Sequence, residues 1–377
     1  MKILHTSDWH LGMLVGTGSY EDCQRHFLAQ LREIILREGV GAVLLAGDVY
    51  DSSVVSADAI QIYNDAAVML CLELGVQLIV IAGNHDSAAR LSSCRELLAP
   101  SGLHVTGRLT RDVEPVLLDG GRTAVYPLPF FTRDAVCALF PERKADIRSQ
   151  EHAMMAVCDH IRETMDPHRR NIILSHAMVV GSELSDSDRS ARVGFATAVS
   201  KDVFDGFDYA ALGHIHKPQI IAPHVRYSGS PIKYSFGSEE TQEKGVVLID
   251  TDDMSQRFIP LTPLRERVSA AGTLDELLAR EDLNDQYLRL TVTDRYAGLD
   301  LVARLRDRFP HLLEVYGKSL EESGTLSALS VEELQTMDET GIMKKFMAEN
   351  FSCEPTPAQM ALFADVLAWS KEEGECS

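Results

Sequence analysis

The chain has 377 residues, 45% of them apolar and 24% charged, which allows two or three domains and excludes disorder over most of its length. Its net charge of -20 argues against a protein that grips nucleic acid through its own basic face. Either the acidity serves solubility, or an anionic substrate is held with help from bound cations or a partner.

Residues 1 to about 250 read as alternating strands and helices, the pattern of a layered α/β fold. The chain opens on an apolar strand at 2–6, which leaves no room ahead of it for a secretory signal. A helix follows over 20–38, with Phe27, Leu31, Ile34 and Ile35 at helical spacing and Gly39 as its stop. Next come a strand at 41–47, a helix at 57–74 capped by Ser56 and stopped by Gly75, and a strand at 76–82. Further strands are expected at 171–175, 208–212 and 246–250. No apolar run is long enough to span a membrane, and the seven cysteines, with no Cys-x-x-Cys pair, suit reduced thiols in a cytoplasm.

The character changes near Met254, where Pro260 and Pro263 mark a linker into a small βαβ-like unit. Its parts are a strand at 287–293, a helix at 299–309 and a strand at 312–316, with no cluster of metal-binding residue types. The boundaries expected are therefore 1–253 for the main domain, 254–322 for a capping domain and 323–377 for a helical tail. The tail carries two capping boxes, Ser330 with Glu333 and Thr356 with Gln359. Its stripe of Met360, Phe363, Val366 and Leu367 suits either core packing or docking to a partner helix.

Five short motifs fall just after strand runs, at the sheet edge where α/β proteins bind ligands. They are Asp8-Trp9-His10, Gly47-Asp48, Gly83-Asn84-His85-Asp86, Ser175-His176 and Gly213-His214-Ile215-His216. Asp8, His10, Asp48, Asn84, His176, His214 and His216 supply oxygen and imidazole donors for two adjacent metal ions, a clamp suited to phosphoester hydrolysis. Asp48, alone at a strand end behind a glycine, is the natural bridging carboxylate. Oxygen and nitrogen donors without thiolate favour Mn, Fe or Zn, and manganese is the expectation. With only two carboxylates the site stays net positive, as a phosphodiester requires. His85 stands beside a ligand with its imidazole free to protonate a leaving oxygen. Asp86 either orients His85 or caps the helix that follows. His5, inside a strand, is expected to be a core residue or to support the ligands.

In these residues the chain resembles the calcineurin-like metallophosphoesterase superfamily. The longer stretches 2–12, 46–51, 82–87, 211–216, 227–231 and 326–333 are similar to the double-strand-break-repair nuclease family within it. The resemblance implies an α/β/β/α sandwich with a small α/β capping domain and a helical tail. It implies an Mn-dependent nuclease, 3′ to 5′ on duplex ends and endonucleolytic on hairpins and single strands. It assigns Asp8, His10, Asp48 and His216 to one ion, Asp48, Asn84, His176 and His214 to the other, and catalysis to His85. Its members act on DNA with an ABC-type ATPase in a two-plus-two assembly containing a nuclease homodimer, whose surface here is sought on helices 57–74 and 88–99. One departure is Asp51, where many relatives carry a histidine; it can instead support a ligand or position His85. The competing readings are a stand-alone phosphodiesterase or phosphatase, and a scaffold with a vestigial metal site.

Overall fold

The computed structural model describes residues 1–16, 18–188, 198–294 and 299–317, and within the tail residues 356, 359, 360 and 363. It divides into two compact units, Met1–Arg267 and Val268–Ser377.

Two six-stranded sheets build the first unit. One runs, in spatial order, Gln256–Pro260, Gly245–Asp250, Lys2–Thr6, Val40–Leu45, Gln77–Ile81 and Leu103–Thr106; its last four strands are parallel. The other runs Gln219–Ala222, Val225–Tyr227, Tyr209–Gly213, Arg170–His176, Thr123–Leu128 and Val116–Leu118, with its four inner strands parallel. Alternation along each strand decides what meets what. Ile3, Ala42, Leu44, Ile79 and Ile81 face Ile172, Leu174, Tyr209 and Ala211 in one buried cluster between the sheets. Ile173, Ala210 and Leu212 point the other way, onto Ala153, Val157 and Ile161 of the helix Gln150–Thr164. The first sheet is covered by the helices Glu21–Glu38 and Ala57–Ala67. The result is the four-layer α/β/β/α sandwich.

The first helix ends as expected, with Gly39 left-handed at φ 68° and its N–H on the Ile35 carbonyl. The second departs from expectation. It stays α-helical only to Ala67 and then widens into a π-helical turn, Val68–Glu73, which buries Leu70 and leaves Val68 and Leu72 exposed. The expected helix 88–99 is also broken, into Ala88–Leu91 and Arg95–Leu98, because Cys94 between them is left-handed at φ 58°.

The strand Gln256–Pro260 lies beyond the main domain in the sequence reading, yet it pairs with Gly245–Asp250 inside the first sheet. The second unit begins only at Val268. It is a three-stranded sheet, Arg267–Gly272, Tyr287–Val292 and Leu312–Gly317, with the last two parallel around the helix Leu299–Arg308. Leu274, Leu277, Leu290, Leu305 and Phe309 fill its core. Thr356 and Gln359 form the reciprocal hydrogen bonds of the second capping box, at 2.9 and 3.3 Å. The Ser330 box and the stripe residues Val366 and Leu367 lie outside the described residues. Among the described residues no helix is long and apolar enough to cross a membrane.

Candidate metal centre

The motif loops are fixed to one another by main-chain bonds before any side chain is considered. Asp8 N–H donates to the Gly47 carbonyl, and His10 N–H to the Asp48 carbonyl, both at 3.0 Å. Asp86 neither orients the His85 ring nor caps a helix. Its carboxylate accepts from the N–H groups of Gly83, Val49 and Tyr50 at 2.8–3.1 Å, so it ties the third motif to the second. A Cβ at Gly83 would overlap the Asp48 carboxylate, which makes glycine obligatory at that close approach.

Four of the residues expected as ligands, Asp8, His10, Asp48 and His214, have positive φ, from 42° to 99°. Each such conformation costs about 1–3 kcal/mol in a non-glycine residue and persists only where its surroundings enforce it. The strain turns these side chains inward from strand ends toward one point.

The structure brings all seven residues together in two groups. Asp8, His10 and His216 form one, with the His10 and His216 Nε2 atoms 3.1 Å apart. Asp48, His176 and His214 form the other, and Asn84 Oδ1 joins it at 2.9 Å from both His176 Nε2 and His214 Nδ1. Asp48 Oδ2 lies 3.3 Å from His176 Nε2 and 3.9 Å from His10 Nε2, within reach of both groups.

This donor set fits cations. His176 Nδ1 donates to the Ala46 carbonyl at 2.8 Å, so Nε2 presents a lone pair to two oxygens that are themselves acceptors. Such a convergence is stable only with a proton or a metal at its centre. The protonated alternative is visible in the electrostatics. Burial works against a charged His176 ring, yet the neighbouring Asp48 carboxylate, with Asp8, carries its pKa up to about 9. Burial likewise opposes ionisation of Asp48, but His176 and His10 hold its carboxyl far below the usual carboxylate range. Burial, aided by the charge on His176, lowers His214 to about 3, and burial takes His216 well down, so both present neutral rings. A metal held at His176 Nε2 would have to displace the proton there, and its affinity would fall as pH drops below about 9. Calorimetric titration of the metal at pH 7.5, in buffers of different ionisation enthalpy, is expected to show net release of protons, His176 contributing one and His10, whose burial is outweighed by Asp51 and Asp48 so that its pKa is also raised, adding to it; no release would contradict this assignment.

Several supporting residues escaped the motif reading. Ser187 Oγ lies 2.7 Å from His216 Nδ1, and Asp188 Oδ1 accepts the His216 N–H at 3.1 Å, which fixes that ring and its loop. Tyr234 packs edge-on against both His10 and His216 and donates its hydroxyl to the Trp9 carbonyl at 2.6 Å. Isolated residues like these carry no spacing signal. His5 joins the sheets: burial lowers its pKa to about 3, and the neutral ring bonds to the Tyr209 hydroxyl and the Leu212 carbonyl, next to the Gly213 turn. Asp51 serves two histidines at once. Its carboxylate is 3.4 Å from His10 Nδ1, while its backbone carbonyl accepts from His85 Nδ1 at 2.7 Å. Positioning of His85 thus uses the main chain and is indifferent to the side chain at 51.

His85 lines a cleft of ≈ 270 Å³ with His10, Asp48, His214 and His216, and beside its Nδ1 bond to Asp51 no described residue hydrogen-bonds its Nε2. Residues 1–218 of the chain match the calcineurin-like phosphoesterase family. The chain belongs to that family. It is a phosphoesterase dependent on divalent metal. Residues 260–351 match a second family, the type 5 capsule protein repressor C-terminal domain. Over 92% of both lengths the chain is 29% identical to the SbcD subunit of nuclease SbcCD from Staphylococcus epidermidis. It is 30% identical, over the same shares, to the SbcD protein of Staphylococcus saprophyticus, and so groups with the SbcD proteins inside the phosphoesterase family. A solved protein of Thermus thermophilus, TT1561, covers 69% of this chain and 98% of its own at 14% identity, with a TM-score of 0.40, too distant to add to the assignment.

Proposed function

We propose that the chain is the nuclease subunit of a DNA-repair assembly, hydrolysing phosphodiester bonds with two manganese ions. The observation that carries this reading is the convergence of two groups of donor residues on Asp48 beside an imidazole whose Nε2 has no hydrogen-bond partner among the described residues. Asp8, His10, Asp48 and His216 would hold one ion, and Asp48, Asn84, His176 and His214 the other. Two such ions neutralise a phosphoryl group and bring the pKa of water toward about 7. The chain's own part is to fix the ligands, exclude bulk water from the cleft and supply a proton. As water attacks phosphorus and the ester P–O bond breaks, His85 gives its Nε2 proton to the departing oxygen. His85→Gln is expected to lower kcat by roughly 10²- to 10⁴-fold while metal content per chain, read by plasma mass spectrometry, stays unchanged. Loss of metal together with activity would make His85 a ligand instead.

The substrate proposed is DNA, cleaved 3′ to 5′ from duplex ends and internally at hairpins and single strands. The partner is an SbcC-type ABC ATPase in the cytoplasm, in a two-plus-two complex, which supplies the basic contacts that a chain of charge -20 lacks. The segment beyond 323 would dock that partner, and the unit from Val268 would guide DNA. For the homodimer, Val68 and Leu72 on one segment and Leu97 on the other are 46%, 65% and 79% exposed, a surface suited to a second copy. Leu72→Glu with Leu97→Glu is expected to convert a dimer to a monomer in light scattering; an unchanged mass would remove this surface from consideration.

The test of function is degradation of an end-labelled duplex by the purified chain in Mn, alone and with the ATPase. Nucleotide release is expected. Hydrolysis of a small diester without any cleavage of DNA, even with the ATPase present, would leave a stand-alone phosphodiesterase.

A further inference from the structure

A second cleft, of ≈ 480 Å³, opens on the Asn84, His176 and His214 side of the ligand cluster and shares His214 with the cleft that holds His85. Its size is that of a small-ligand site. Two features of its wall are not explained by packing. The Phe130 ring is 38% exposed, although the adjacent Phe131 is buried in the core. The backbone that carries the ring is anchored. Phe130 N–H donates to the Ala82 carbonyl at 2.8 Å, two residues before Asn84, and the ring stands edge-on to His176 with centroids 6.4 Å apart.

The other feature is Arg148. Arg133, across the same cleft, is paired with Asp134 at 2.8 Å. Arg148 has no carboxylate partner among the described residues; its Nε bonds only to the Ala145 carbonyl, leaving the outer guanidinium nitrogens for an incoming group. In a chain of charge -20, an arginine without a carboxylate partner among the described residues, lining the same cleft as a half-exposed aromatic ring beside a phosphoesterase centre, is a specific combination. An aromatic face offers stacking to any base, and a guanidinium offers a fork to phosphate.

We propose that this cleft is a nucleotide subsite, in which Phe130 stacks the base next to the scissile phosphate and Arg148 holds the adjoining phosphate. The proposal rests on the nuclease reading above. Met154 and Met178 form an adaptable apolar floor, so the subsite accepts any base. It gives the strand a register: with one base seated on Phe130, the next phosphodiester lies toward His214 and the cleft of His85.

The test uses the full chain in Mn and two oligonucleotides, one intact and one with a single abasic residue, with every cleavage position mapped. The wild-type chain is expected to cut the bond beside the abasic residue more slowly than the same bond in the intact strand, by about five- to 150-fold. Phe130→Ala is expected to cut both at one rate, and Phe130→Tyr to restore the discrimination. Because the comparison is a ratio within each protein, partial misfolding of a variant cancels. Arg148→Ala should make the slope of log K against log salt shallower by about 0.7 on a single strand, the signature of one lost phosphate contact. A wild-type chain indifferent to the missing base, a Phe130→Ala chain that still discriminates, or an unchanged salt slope in Arg148→Ala would overturn the subsite while leaving the nuclease reading intact. A wild-type chain that hydrolyses bis(p-nitrophenyl) phosphate but neither oligonucleotide would overturn the nuclease reading and the subsite with it.

Discussion

Asp48→Asn is expected to lower phosphodiester hydrolysis by at least about 10²- to 10³-fold, the loss typical when one electrostatic group is taken from a reaction centre. Asp48 Oδ2 is the atom within reach of both ligand groups, so the substitution weakens both at once. Asparagine is the informative replacement. It keeps an oxygen to accept the His85 N–H, which bonds to Asp48 Oδ1 at 2.9 Å, and it tolerates the φ of 48° at this position. The fold therefore survives while the bridging charge disappears. Removing the carboxylate also removes a principal cause of the raised His176 pKa, so proton release on metal binding should shrink. Activity in Mn, metal content and thermal stability measured on one preparation check this. Full metal loading with near-normal turnover would exclude Asp48 as the bridging ligand.

Lys244→Met is expected to cost about 3–5 kcal/mol of stability, because it strands a charge in the interior. Lys244 and Glu239 are an ion pair at 2.6 Å with side chains 3% and 0% exposed. Burial lowers the Lys244 pKa, and the Glu239 charge opposes that shift. Lys244 Nζ also donates to the His216 carbonyl at 2.8 Å, while Glu239 Oε2 accepts from Tyr234 N–H and Ser235 N–H at 3.1 and 2.6 Å. The pair thus anchors the loop of His216 on one side and the tyrosine packed against it on the other. Without Lys244 the carboxylate has no compensating charge, and Tm should fall by roughly 6–20 °C for a unit of this size. Adding Glu239→Gln removes the stranded charge and keeps an oxygen for the two amides. The double variant is therefore expected to recover much of the loss, a coupling readable in a double-mutant cycle. A single variant within about 0.5 kcal/mol of wild type would mean the pair is not needed.

The residues proposed as ligands were legible because each sits in a short motif directly after an apolar strand, and a parallel sheet sends the ends of its inner strands to one edge. Short apolar runs made the strands readable, as in Lys2–Thr6, which is buried on both faces and sends Ile3 into the cluster between the sheets. What the sequence hid was of two kinds. Pro260 reads as a linker residue, but it closes an edge strand with a partner on one side only, where a missing N–H costs little. The π-helical turn at Val68–Glu73 and the break at Cys94 interrupt segments whose local pattern is helical, and only tertiary contacts decide them. The second kind is the lone polar residue. Asp188 and Lys244 lie far in sequence from the His216 loop they hold, and nothing in the neighbours of either, or of Glu239, marks them as buried. Asp86 is the instructive middle case: its place in a motif was plain, yet two of its three partners are amides of a different loop.

The most direct test of a two-ion centre is a crystal of the protein grown in Mn, with anomalous differences collected at the manganese edge. Two peaks are expected about 3.5–4 Å apart, both within bonding distance of Asp48, one flanked by His10 and His216 and the other by Asn84, His176 and His214. A single peak, or two that do not share Asp48, would contradict the account.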